Sequence, residues 1–340
     1  MQIKGLNRII PRGRDIDTMG DNALLYSLDD GRYCNGVLIY STYLYPYHNY
    51  DGGLYLRSSD PPAIYQLDPQ NNTIKLCVSR TKRIRLGVSE EWLLLGKYKN
   101  REHTYTLEVE RKEAWTKTTS FSQVIQVGSY ALFYQGKGQL ENSCQLIELS
   151  TGTVLWELDY PGAFIKQVYP YADKVVIVWF TPLGPASKDR VLCVEIPSGK
   201  VLWENNTARN YHKYGEDKLV CFLSFYRDEG AEDDDNHSYA EIDVRTGAVY
   251  IHKYPGYRSS VERNYVYKDF LFYTAARGDA YIGAINLRTH EMIDEVMIDF
   301  VPGEFNQTKG IGIYGGQLYV EVQTELDHSD IHVFDLEEDE

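Results

Sequence analysis

The chain has 340 residues, 43% of them hydrophobic and 25% charged, with 49 acidic side chains against 35 basic ones and a formal net charge of −14. That balance supplies ample apolar material for a folded core, and so acidic a chain weighs against DNA, RNA or an anionic membrane as its main partner. No apolar run approaches the roughly 18 residues that span a bilayer, and the start, MQIKGLNRIIPRGR, lacks the apolar core of a secretory signal.

In chain order, Gln2 to Ile10 (QIKGLNRII) reads as a β-like stretch without a sheet of its own. From Ile16 to Ser79 the apolar, β-branched and aromatic runs ALLYSL, GVLIYSTYLY, AIYQLD and NTIKLCV read as one unit of four strands. It is interrupted by the irregular stretch Tyr43 to Pro62. A second unit covers Arg83 to Thr118 and a third Ser120 to Asp159. A fourth covers Ala163 to Asn206, a fifth Arg209 to Tyr254 and a sixth Arg258 to Ile298. A seventh begins near Phe300 with only three strands, GIGIYG, QLYVEVQ and IHVFDL, before the chain stops.

The units share one signature. Leu146 to Tyr160, LIELSTGTVLWELDY, returns at Cys193 to Asn205, CVEIPSGKVLWEN, and again at Ala240 to His252, AEIDVRTGAVYIH. Each is a half-buried strand of period 2, a tight turn with Gly152, Gly199 or Gly247 where positive φ costs little, and a second strand. Trp156 and Trp203 stand four residues after their glycines and are expected to pack each unit on its neighbour. Weaker copies place Asn72, Lys112 and His290 at the glycine position. A strand-only repeat of roughly 40 to 50 residues is what propeller blades require. The expectation is an all-β, seven-bladed β-propeller of four-stranded blades in a single domain, 1–340. Residues 1–12 would supply the missing outer strand of the last blade, because an unpaired sheet edge is a liability that a closed fold removes.

The run strand, S-T-G or P-S-G, then T/K-V-L-W-E resembles the repeat of the quinoprotein-type (PQQ-like) β-propellers and, more loosely, the WD40 group. The resemblance is carried by Gly152 with Trp156 and Gly199 with Trp203, and in part by Gly247 and His290. In the enzymes of that family this motif is structural and the cofactor site lies elsewhere. The resemblance therefore implies the fold and no quinone chemistry, and fold analogy decides no function.

Two stretches stand out as surface equipment. Tyr43, Tyr45, Tyr47, His48 and Tyr50 crowd an aromatic, Gly-rich insertion, where Tyr offers large contact area with a polar tip. The alternative is that these side chains cover a neighbouring strand, since 29 tyrosines in the chain make enrichment global. The loop DEGAEDDDNH carries Asp233, Asp234 and Asp235. Its spacing does not match a calcium loop, so it reads as a solvated surface rather than a metal site. The basic run Arg80 to Arg85 reads as a source of local ion-pair partners. The eight histidines look dispersed; His328 and His332 form the one close pair, in a stretch that reads as loop then strand rather than helix. Cys34, Cys77, Cys144, Cys193 and Cys221 are odd in number and scattered, as expected of reduced thiols in the cytoplasm.

There is no G-x-S-x-G, H-E-x-x-H, C-x-x-C or Gly-rich phosphate loop. The expected function is therefore a non-catalytic scaffold, monomeric and without cofactor, that engages a protein partner through its loop face. Its acidity suits an inhibitor or immunity-like antagonist of a basic partner. The other class is a propeller enzyme or carbohydrate binder with carboxylates meeting at the ring axis.

Overall fold

The computed structural model describes residues 1–19, 23–28, 31–40, 44–47, 54–71, 73–87, 91–100, 102–135, 143–160, 162–180, 189–206, 209–222, 238–255, 259–275, 281–298, 307–325 and 328–337. These are all strand, turn and connection, with no helix among them. The strands form eight antiparallel sheets of four, each a meander in which sequence neighbours pair. Taking each sheet as a blade, blades one to seven cover residues 14–40, 45–79, 83–119, 123–159, 164–205, 209–253 and 259–297. Blade eight combines 307–337 with the N-terminal strand Gln2–Ile10.

The blade count corrects the sequence expectation of seven. The stretch read as one unit, residues 16–79, holds two sheets, and the supposed insertion Tyr43 to Pro62 contains the strands Tyr45–Tyr47 and Tyr55–Ser59. These strands are three and five residues long, too short to show a period. Pro46 lies inside the first, and Pro normally argues against a strand. It is tolerated because this strand is the first of its sheet, with one edge unpaired. Five of the other six units keep their expected limits to within three residues, and the last, expected from near Phe300, has its first described strand at Gln307. In blade three the positive φ of the turn falls on Glu110 and Arg111, just before Lys112.

The core is divided among eight apolar clusters, and each lies between two adjacent blades. Leu25, Cys34, Leu44, Leu56 and Leu67 fill the seam of blades one and two. Val176, Val178, Cys193, Tyr211, Cys221 and Ile242 fill that of five and six. The series ends where it began: Leu24 and Tyr26 of blade one pack on Tyr319, Ile331 and Val333 of blade eight. A seam between the first and last sheets means a closed ring. First strands of successive blades touch, as 259–267 touches both 209–214 and 307–314, so they line the inside, and fourth strands form the rim.

The N-terminal strand pairs antiparallel with His328–Glu337, from Gln2 opposite Glu337 to Ile10 opposite Ile331. Met1 and Ile3 are buried between blades seven and eight, and the Ile3 amide donates to Asp294 Oδ2 of blade seven at 2.8 Å. The chain ends are thereby tied across that seam.

Candidate functional site

Of the residues singled out in the sequence, Tyr43, His48, Tyr50, Asp233, Asp234 and Asp235 lie outside the described residues. Tyr45 is 44% exposed, whereas Tyr47, two residues on, is 5% exposed and donates its hydroxyl to the Gly87 carbonyl at 3.0 Å. Tyr47 belongs to the seam between blades two and three.

That bond is one of a set of five that gives tyrosines a structural place in the seams. Tyr105 of blade three donates to Phe121 O at 2.9 Å, and Tyr171 of blade five donates to Lys218 O of blade six at 3.1 Å. Tyr169 of blade five donates to Tyr211 O of blade six, and Tyr214 of blade six donates to Asp269 Oδ1 of blade seven at 3.0 Å. A buried Tyr fills a seam with its ring and satisfies a backbone or carboxylate acceptor across it with its tip.

The indoles serve the rim in the same way. Trp115 Nε1 donates to Leu149 O at 2.8 Å, Trp156 to Ile196 O at 2.7 Å and Trp203 to Val244 O at 2.8 Å. Each bond runs from the outer strand of one blade to the turn of the next. The outer strands expose apolar side chains: Val154 and Leu155 before Trp156, Val201 and Leu202 before Trp203, and Tyr250 and Ile251 before His252. A register shift in the first two strands, between the valine and the tryptophan, turns the Trp inward and leaves Val–Leu facing out. Because each Trp sits on the next blade's turn, the three apolar pairs follow one arc along the rim of blades four to six.

Between blades six and seven this series changes. Where an indole would lie on a glycine turn, the ring of His252 stacks on that of His290, with centroids 3.7 Å apart and planes 7° from parallel. His290 occupies the glycine position of its turn with φ 62° and donates its amide to Asn286 O at 2.8 Å. Tyr239 pairs across the sheet with His252, and its hydroxyl is 2.7 Å from Nδ1 of His290. Glu241, on the same strand and face as Tyr239, is 4% exposed and accepts a 2.8 Å bond from Lys218 Nζ on Oε2. One donor atom from each of Glu241, His252 and His290 can be chosen so that all lie within 4.8 Å of one another. Burial, then the neighbouring His290, pulls His252 below the usual imidazole range, against the opposing pull of Glu241.

This cluster was missed in the sequence, where the histidines looked dispersed. The repeat points only near it: the four-residue step from glycine to Trp156 and Trp203 falls on Ile251 in blade six, and His252 is one residue further on. The pair that spacing did single out comes apart: His328 is exposed and His332 buried on one strand, His328–Glu337.

Arg80 pairs with Glu108 at 3.6 Å, as expected of the basic run. Arg85 lies instead over the Tyr105 ring, 5.9 Å from its centroid. Burial first, and neighbouring guanidiniums after it, pull Arg57 and Arg85 below the usual arginine range.

No protein-family model and no curated protein sequence matches the chain. Solved structures do. The chain is similar to the computationally designed Ika8 protein at 11% identity and TM-score 0.56, over 98% of this chain and 99% of that one. It is similar to the Dos1 propeller at 11% identity and TM-score 0.51, over 96% and 95% of the two chains. It is also similar to Sqt1 of Saccharomyces cerevisiae at 10% identity and TM-score 0.51, over 99% and 95%. At these identities the likeness carries the fold, a β-propeller, and no activity. No helix among the described residues is long and apolar enough to cross a membrane.

Proposed function

We propose that the protein is a non-catalytic binding scaffold, a closed ring acting as a single monomeric domain in the cytoplasm that holds a protein partner on its outside. The observation that carries this reading is the arc of exposed apolar pairs, Val154–Leu155, Val201–Leu202 and Tyr250–Ile251, on the free edge strands of three consecutive blades. Apolar pairs recurring on the outer strands, beside unpaired strand edges, are what a docking partner covers. The net charge of −14 selects a basic partner and speeds its arrival, as an inhibitor or immunity-like antagonist requires. Tyr43, Tyr45, His48 and Tyr50 with Asp233, Asp234 and Asp235 form a second, loop-face surface in this reading, from which the buried Tyr47 is left out. The kinship to quinoprotein-type repeats rests on the Gly–Trp motif alone and adds no chemistry to it.

The test is capture from native host lysate with three proteins: wild type, Leu155→Asp/Leu202→Asp/Ile251→Asp, and Tyr43→Ser/Tyr45→Ser/Tyr50→Ser. All three are first shown to keep the wild-type circular dichroism. A stoichiometric basic protein held by wild type and released by the rim variant supports the reading. A partner held equally by all three, or no protein partner together with a glycan or small ligand that raises the melting temperature, overturns it.

A further inference from the structure

The seam of blades six and seven carries more than a substitute for the Trp–Gly contact. Replacing one stacked ring by another needs no charge, yet Glu241 stands beside the stack with its carboxylate buried. Among the described residues, Oε1 of Glu241 and Nε2 of His252 are buried and have no hydrogen-bond partner. Two such groups side by side each carry the desolvation penalty of an unpaired buried polar atom unless something satisfies them. Both are acceptors, or can be, and both belong to residues whose donor atoms come within 4.8 Å of one another and of His290. A shared cation satisfies both at once.

We propose that Glu241, His252 and His290 form a binding site for a divalent transition metal, with Zn2+ the ion it suits best. Two imidazoles and one carboxylate are the donors that borderline ions select, whereas Ca2+ and Mg2+ take oxygen. Three protein ligands leave a fourth position for water or for a group brought by a partner. Bond lengths near 2.0–2.1 Å in a tetrahedron put ligand atoms about 3.3 Å apart, so the cluster closes by roughly 1.5 Å at its widest. Because imidazole lone pairs lie in the ring plane, His252 and His290 also turn out of their parallel stack to converge on one ion, a change of side-chain torsions.

The supporting frame is rigid where it matters. Tyr239 and His252 are opposite residues of one strand pair, and Glu241 is two residues beyond Tyr239 on the same face. His290 is set by its turn, whose amide bonds hold it at positive φ. The Tyr239 oxygen lies 2.7 Å from Nδ1 of His290; in the tautomer with the proton on Nδ1 it is the acceptor and Nε2 is left to ligate, the outer contact that orients a metal-bound imidazole. Lys218 plays the opposite part. Its ammonium, 2.8 Å from Oε2, steadies the carboxylate without metal and repels a dication. Lys218→Met therefore tightens metal binding.

The experiment titrates the full chain with Co2+, followed by its visible absorption, and then displaces Co2+ with Zn2+. The expected result is one Co2+ per chain with the intense band of a four-coordinate site, displacement by one Zn2+, and a higher melting temperature at saturating Zn2+. His252→Gln and His290→Asn (Asn tolerates the positive φ) each lose the band. Each weakens Zn2+ by more than the roughly 10–100-fold that losing an outer partner costs, which Tyr239→Phe measures directly. Asp233→Asn/Asp234→Asn/Asp235→Asn leaves the band unchanged. The proposal is overturned if wild type shows no band and no thermal shift at millimolar metal. It is equally overturned if both histidine variants, still folded by circular dichroism, bind as wild type does.

Discussion

The indole of Trp156 in blade four lies on the backbone of Gly199 in blade five, so near that a Cβ at residue 199 would stand 2.5 Å from the indole Cγ. The glycine also holds φ +69°, and the Trp156 Nε1–H bond to Ile196 fixes the ring in place. Gly199→Ala therefore meets both a left-handed backbone, worth about 1–2 kcal/mol, and a ring that cannot withdraw. Gly215→Ala, at φ +62° with nothing within 4 Å, meets the first cost alone. Urea midpoints should fall further for Gly199→Ala than for Gly215→Ala. Trp156→Phe should cost about 1 kcal/mol for the lost hydrogen bond plus its lost contacts. Equal midpoints for the two alanine variants would remove the Trp–Gly contact as a source of stability.

How much of this was legible depends on where the chain repeats itself. Gly152, Gly199 and Gly247 with their tryptophans announced both the hairpins and the packing of one unit on the next, because positive φ and a large ring leave marks in the sequence. Blades one and two left fewer: four strand-like runs and the weak copy at Asn72, enough for one unit where there are two sheets. Their strands are three to seven residues long, and Tyr45, Tyr47 and Tyr55 read as an aromatic loop although two of the three are buried. Alternation over three residues cannot be told from chance. The His252–His290 cluster was hidden for another reason: its residues come from two strands and a turn of different blades, and only the ring brings them together.

Tyr45 and Tyr47 separate the surface reading of the tyrosines from the structural one. Tyr47→Phe leaves the Gly87 carbonyl in a buried seam without its 3.0 Å donor and should cost about 1 kcal/mol or somewhat more. Tyr45→Phe, at 44% exposure, should stay within about 0.5 kcal/mol of wild type. Chemical denaturation of the two variants checks this, and the reverse order would mean that the hydroxyl of Tyr47 is not what ties blade two to blade three.

Removing residues 1–12 takes the fourth strand from blade eight and uncovers the cluster in which Met1 and Ile3 are buried. Two such side chains are worth roughly 1.5–3 kcal/mol each, and the amide bond of Ile3 to Asp294 is lost with them. The truncated chain should melt well below the full one and recover part of the difference when a peptide of residues 1–12 is added. Unchanged melting would sink closure by this strand as a stabilising device.

The five thiols should divide four to one. Cys34, Cys144, Cys193 and Cys221 are buried, and burial pushes the first three up to about 11, about 12 and about 11, with Cys221 raised as well. Cys77 alone is partly exposed. An aromatic disulfide reagent at neutral pH should titrate one thiol in the native protein and five in denaturant, because thiolate character and access together set the rate. More than one fast thiol in the native protein, or an unchanged native count in a Cys77→Ser variant, would contradict the seam assignments.

Acid should weaken the ring through its buried imidazoles before it reaches the carboxylates. His332 is 6% exposed and burial lowers it below the usual imidazole range, against the opposing pull of Asp330. His212 is lowered by burial too, with its bond to Asn264 pulling the other way. Both are thus neutral in the fold, while in the unfolded chain an imidazole takes up a proton near pH 6.5. Below that pH the unfolded state binds more protons than the native state, so stability is full above about 6.5 and is lost as pH falls through it. Asp335, held below the usual carboxylate range by bonds from Gln317 and Asn7, acts in a separate window below about pH 4. The urea midpoint should therefore drop between about pH 7.5 and pH 5, and a His212→Gln/His332→Gln variant should show a smaller drop. A midpoint that stays flat across that interval, or a variant with the same slope as wild type, would mean that neither imidazole is held neutral by the fold.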